Sequence, residues 1–83
     1  MPTSYVIRDD ARYRVLVGWD DDLETFYARV YTRLGHRGPM HEVGTHEGEI
    51  RAVSVLADAV LGFATVDAET VTALRHDASR MTA

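Results

Sequence analysis

Three histidines, His36, His41 and His46, recur at intervals of five along GHRGPMHEVGTHEGEI, residues 35–50, with Glu42, Glu47 and Glu49 among them. Imidazoles of this kind build zinc sites that keep a fourth position open. The spacing argues against such a site. In the helical zinc-protease motif two histidines lie one turn apart on the same face, whereas His41 and His46 are five apart with Gly44 between them. On a strand an odd interval sends side chains to opposite faces, and His36 falls in a separate Gly/Pro loop. The three are read as polar histidines near a loop. No cofactor is expected, and a histidine metal site stands as an alternative.

Other constellations carry less. Asp20, Asp22 and Glu24 alternate as in the start of a calcium loop. That loop needs glycine at its sixth position and a bidentate acid at its end, where this chain has Thr25 and Tyr31. The turn reads as a solvated hairpin tip. Ser4, Ser54 and Ser79 lie outside any Gly-x-Ser-x-Gly elbow. The glycines are scattered rather than gathered into a phosphate loop. His76 and Asp77 are adjacent on a helical stretch, so their side chains diverge. The chain is expected to be no enzyme.

A different chemistry emerges from the elements that must position these residues. Residues 12–19, RYRVLVGW, alternate: Tyr13, Val15, Val17 and Trp19 point one way, Arg12, Arg14, Leu16 and Gly18 the other. Residues 23–32, LETFYARVYT, alternate again, with Phe26, Ala28 and Val30 opposite Tyr27, Arg29 and Tyr31. Two such runs around DDD predict a β-hairpin. RLGHRGP, residues 33–39, is a loop, and residues 40–45 offer a third short strand that Gly44 ends.

From Glu49 the period becomes helical. Ile50, Val53, Leu56, Ala57, Val60, Leu61 and Ala64 share a face, with Glu47 and Glu49 at the end where the helix dipole favours acids and Gly62 as a stop. Asp67 predicts the N-cap of a second helix, with Glu69 in its first turn and Val71, Leu74, Ala78 and Met81 as its stripe. The fold class is α+β: a small antiparallel sheet, β-hairpin plus a third strand, covered on one face by two C-terminal helices, in the order β-β-(β)-α-α. Residues 1–10 are expected as a flexible tail, in which Tyr5, Val6 and Ile7 could add a short strand before RDDA breaks the pattern, and 11–83 as one domain.

The hairpin VGWDDDLETFYARVY, followed by VGT, GEI and a Leu/Ala-rich helix, resembles a set of small uncharacterised bacterial proteins whose hairpin reads Val-Gly-Trp-Asp, Leu, then Thr-Phe-aromatic and Val. The resemblance covers about residues 13–77. It implies that Val17, Gly18, Trp19, Asp20, Leu23, Thr25, Phe26 and Val30 serve the fold, and it implies no activity.

Composition sets the outer bounds. Eighty-three residues make one domain with a thin stability margin. The absence of cysteine removes disulfides and thiol chemistry, and fits a reducing cytoplasm. All nine basic residues are arginine, as in a GC-rich coding bias of bacterial type. The N-terminus has no signal-peptide pattern, and the longest apolar run, AVSVLADAVLGFATV, is broken by Asp58 and too short to span a bilayer. At a net charge of −4 the chain is a poor binder of phosphate backbones. A helix-turn-helix is disfavoured too, because the second helix would meet DNA with Asp67 and Glu69.

The sheet face away from the helices is therefore the candidate site: Arg12, Arg14, Leu16, Tyr27, Arg29 and Tyr31. Tyrosine and arginine are enriched in binding hot spots. This predicts a cytoplasmic protein-binding module (a regulator, adaptor or inhibitor) and a homodimer as one form of it. A single-stranded nucleic-acid platform on the same face is the alternative, because bases stack on aromatic rings.

Overall fold

The computed structural model describes residues 3–32 and 38–80. In chain order these form β1 (Thr3–Asp9), β2 (Tyr13–Asp20), β3 (Thr25–Thr32), β4 (His41–Val43), α1 (Val53–Val60) and α2 (Ala68–Ser79). The strands make one antiparallel sheet in the order β1-β2-β3-β4, so each pairs with its neighbour in sequence. Both helices pack on one face. The α+β arrangement is the one the sequence predicts, with a further strand at its start.

That strand corrects the expectation of a flexible tail over residues 1–10. Thr3–Asp9 pair with β2 from Thr3↔Trp19 to Asp9↔Arg14, with a register shift between Val6 and Arg8. The bulge breaks the period of two. Beyond it Arg8, a charged residue, stands opposite the fully buried Val15, which is why the strand pattern reads no further than Ile7. Arg8 is well satisfied there. Its guanidinium donates to the Asp10 carboxylate at 2.6 Å and to the Phe63 carbonyl at 2.6 Å, and lies 4.9 Å from the Tyr13 ring centroid. Tyr5 also faces the helices, and its hydroxyl donates to Asp77 of α2 at 2.5 Å.

The hairpin pairs Tyr13↔Thr32 through Asp20↔Thr25 in unbroken register. Its strand starts at Thr25 rather than Leu23, because the turn is four residues long. Asp20 Oδ1 accepts from the amides of Asp22 at 2.9 Å and Leu23 at 3.1 Å, and Glu24 takes a left-handed φ of 51° to re-enter the sheet. Asp and Asn favour such turns because the short side chain bonds its own backbone two residues on.

Alternation then decides which face is dry. Val15, Val17 and Trp19 of β2 and Phe26, Ala28 and Val30 of β3 are all buried. Most of them meet Ile50, Val53, Leu56, Val60 and Leu74 in one apolar cluster. Burying a side chain such as Leu56 contributes about 1.5–3 kcal/mol, a large share of the small net stability left to a domain of this size.

The helices differ from expectation at their ends. α1 begins at Val53, with Ala52 extended at φ −126°. Glu47 and Glu49 therefore do not sit in its first turn. Leu61 lies past its end and is mostly exposed. α2 is capped as predicted: the Asp67 carboxylate accepts from the Thr70 amide at 2.7 Å. Leu74 is its one buried residue, with Val71 and Ala78 half-buried against the core. Met81 lies outside the described residues.

Candidate functional site: the open face of the sheet

The face away from the helices is built in three cross-strand rows. Side chains directly opposite each other are close enough to interact, so each row has its own chemistry. The first is Ser4–Gly18–Tyr27. Gly18 has no side chain, and the Tyr27 ring reaches across it until its hydroxyl is hydrogen-bonded with that of Ser4. An aromatic ring covering a strand glycine restores the packing that glycine lacks. Tyr27 is only 7% exposed, although it belongs to the outer face. Burial pushes its hydroxyl pKa above the ordinary value, and the bond with Ser4 opposes this.

The second row is Val6–Leu16–Arg29–Glu42, one residue from each strand. Arg29 Nε donates to Glu42 Oε1 at 3.2 Å and its guanidinium lies 5.3 Å from the Tyr27 ring centroid. An exposed pair of this kind contributes less than about 1 kcal/mol, but it uses up the charge of Arg29. Val6 is 49% exposed beside half-buried Leu16.

The third row is Asp9–Arg14–Tyr31. Arg14 has no ion pair or hydrogen bond from its side chain among the described residues. It lines an open depression of about 270 Å³ with Leu16, Tyr31 and Thr32. A second depression of about 140 Å³, lined by Ala11, Arg12, Tyr13 and Thr32, adjoins it at the sheet's end.

The structure thus gathers Arg14, Leu16, Arg29 and Tyr31 on one surface. Tyr27 is there too, but inside the row rather than on top of it. Arg12 is set apart: it belongs to the turn before β2, with its guanidinium 5.7 Å from the Tyr13 ring centroid. Sequence reasoning missed Ser4, Val6 and Glu42. The alternation of Ser4 and Val6 was present, but the bulge after Val6 cut it short.

The histidines go elsewhere. His41 stands opposite Val30 on the helix side of β4, and its ring stacks on Phe63 with centroids 5.4 Å apart. His46 sits in the segment after β4, its Nδ1 3.1 Å from Glu49 Oε1. His36 lies outside the described residues. Among the described residues no three histidine, aspartate or glutamate side chains are grouped to hold a metal ion.

Glu49 ties that segment into a loop. Its carboxylate accepts from the amides of Gly44 at 2.9 Å and Thr45 at 3.2 Å. These bonds, Gly44 first and then His46, hold its pKa below the ordinary value. Asp10 does the same for the β1–β2 turn: it accepts from the Tyr13 amide, the Arg8 guanidinium and the Arg12 amide, and titrates at about 2. A carboxylate whose folded pKa is depressed stabilises the fold above its unfolded pKa and loses that contribution as pH falls through the folded one. The window here therefore runs from roughly pH 4 down to about 2. In an acid titration followed by NMR, the amides of Gly44, Thr45, Arg12 and Tyr13 are expected to lose their bonded shifts only below the ordinary carboxylate range. Midpoints at 4.5 for Gly44 and Thr45, the ordinary glutamate value, would mean that Glu49 does not bind them.

Fold and face together define a class: a small two-layer α+β domain whose sheet is covered by helices on one side and, among the described residues, open on the other. Compared with known protein families, curated proteins and solved structures, the chain matches none of them. Among the described residues no helix is long and apolar enough to cross a membrane.

Proposed function

We propose that the chain is a non-catalytic protein-binding module that docks a partner protein through the open face of its sheet. The observation that carries this reading is the third row with its neighbours. Arg14 has no partner of its own among the described residues, and it stands on a rigid sheet beside Leu16, Tyr31 and exposed Val6. Apolar and aromatic side chains around an arginine make an interface core that gains by excluding water. Two further features support the non-catalytic reading. Thr25 is the one buried polar or charged side chain among the described residues, and its hydroxyl is engaged by Ile50, accepting from the Ile50 amide at 2.8 Å. Among the described residues no carboxylate, imidazole or guanidinium is buried, as groups with strongly shifted pKa values at catalytic sites commonly are.

The nucleic-acid alternative on the same face draws less support. Asp9, Asp20 and Glu42 share the face with Arg14 and Arg29, and Tyr27 is only 7% exposed, which leaves little ring surface for a base to stack on. The cysteine-free composition suits a cytoplasmic location.

Photo-crosslinking tests the reading. Benzoylphenylalanine replaces Val6 on the open face or, in a second variant, Val55 on the outer side of α1, the two being 49% and 52% exposed. In lysate of the source cells, position 6 is expected to give a discrete adduct and position 55 none. Leu16→Asp should cut the adduct yield about tenfold, the effect of losing ~1.4 kcal/mol. An adduct from position 55 alone, or a yield indifferent to Leu16→Asp, would remove the open face from consideration.

A further inference from the structure

Resting on that reading, we propose that the occupant of the open face is a second copy of this chain, packed sheet on sheet with β2 antiparallel to its counterpart about a two-fold axis over Val17. The outward side chains of β2 are Arg14, Leu16, Gly18 and Asp20. This series has a cation at one end, an anion at the other and apolar or small residues between. Positions 14 and 20 are equidistant from 17, as are 16 and 18. Turning one copy over on the other sets each Arg14 against the opposing Asp20, and each Leu16 over the opposing Gly18. A two-fold interface must be complementary to itself in this way, and aligned sheets pack within about 30° of each other, which keeps the register over a few residues.

Both charged partners are available. Arg14 has none of its own among the described residues. Asp20 spends Oδ1 on the turn. Its charge is directed to the open face, where it acts on the Tyr27 hydroxyl. Three strands of six residues at ~3.3 Å, about 4.8 Å apart, with the three-residue β4 beside them, give a face of roughly 330 Å². Two such faces bury about 660 Å², well short of the ~1,200 Å² of a standard stable interface. The pair is therefore a weak, exchanging dimer whose strength rests heavily on the two Arg–Asp contacts.

Sedimentation of the purified chain from about 10 µM to about 1 mM reads this directly. The mass should climb from 9.3 kDa toward twice that value. Arg14→Glu should weaken association at least about tenfold, and neutral Arg14→Gln less, about threefold. Asp20→Asn keeps the oxygen that holds the turn. With it Arg14 meets a neutral amide in place of a carboxylate, and association should weaken about threefold. Asp20→Asn joined to Arg14→Gln should weaken association no more than either change alone, because both remove the same contact. Arg75→Glu on the exposed side of α2 makes the same charge change elsewhere and should alter nothing. Circular dichroism confirms that each variant is folded. A parent chain monomeric at about 1 mM, or effects of Arg14→Gln and Asp20→Asn that simply add in the combined variant, overturn self-pairing. In that event a position-6 adduct with a different protein, sensitive to Leu16→Asp, leaves the docking face standing. Absence of any adduct ends both.

Discussion

Gly44→Ala is expected to lower the stability of the domain by about 3 kcal/mol or more, a fall in melting temperature of roughly 12–24 °C for a domain of this size. Two separate demands meet at this residue. Its φ is +76°, in the left-handed region, where a side chain costs of order 1–3 kcal/mol. A Cβ there would also stand 2.0 Å from the Phe26 carbonyl oxygen and 2.6 Å from the Tyr27 Cα. Both are backbone atoms of β3, paired on the other side with β2, and they cannot yield without breaking the ladder. The segment from 44 to 50 would have to lift instead. With it would go the bonds from Gly48 N to the Leu23 carbonyl, from Phe26 N to the Ile50 carbonyl, and from Ile50 N to the Thr25 hydroxyl. Ile50 is 4% exposed in the core and leads directly into α1, so damage at the edge of the sheet reaches the helix layer. Gly62→Ala is the control. Nothing lies within 4 Å of its added methyl, and it should change stability by less than about 0.5 kcal/mol. Equal urea midpoints for the two variants would mean that residues 44–50 are not held against β3.

The same segment marks the limit of what the sequence discloses. Alternation over 12–19 and 23–32 was strong enough to place the hairpin, its dry side and most of the open face, because period two has one interpretation when aromatic and β-branched residues supply it. The N-cap at Asp67 was legible for a similar reason: the residue type has one common use ahead of an apolar stripe. The start of α1 was not. Glu47 and Glu49 look like helix-dipole acids, yet Glu49 folds back on the amides of Gly44 and Thr45, a tertiary use that composition cannot reveal. The full length of β1 was hidden by a bulge that sets Arg8 where an apolar residue belongs. The two tyrosines of β3 were indistinguishable by pattern, since both lie on the outward register. What separates them is the residue opposite: glycine for Tyr27 and arginine for Tyr31.

That difference gives the other large expected effect. Tyr27→Ala should cost about 3 kcal/mol, the lower end of what removing a buried aromatic ring does in a core. The ring is 7% exposed, and without it Gly18 is bare to solvent, the Ser4 hydroxyl loses its partner, and Arg29 loses the ring beside it. Tyr27→Phe keeps the ring and should cost only about 1 kcal/mol for the hydroxyl's bond. Tyr31→Ala, at a half-buried position lining the Arg14 depression, should cost less than about 1 kcal/mol in stability and yet reduce the position-6 adduct about tenfold. Urea midpoints and crosslinking yields measured on the same three variants separate the roles. Tyr27 holds the surface flat so that Arg14, Leu16 and Tyr31 can present themselves, and changing both tyrosines together would confuse loss of the platform with loss of contact. Were Tyr27→Ala to unfold at the parent's midpoint while its adduct vanished, the ring would be a docking residue, and the row Ser4–Gly18–Tyr27 would not be what stiffens this sheet.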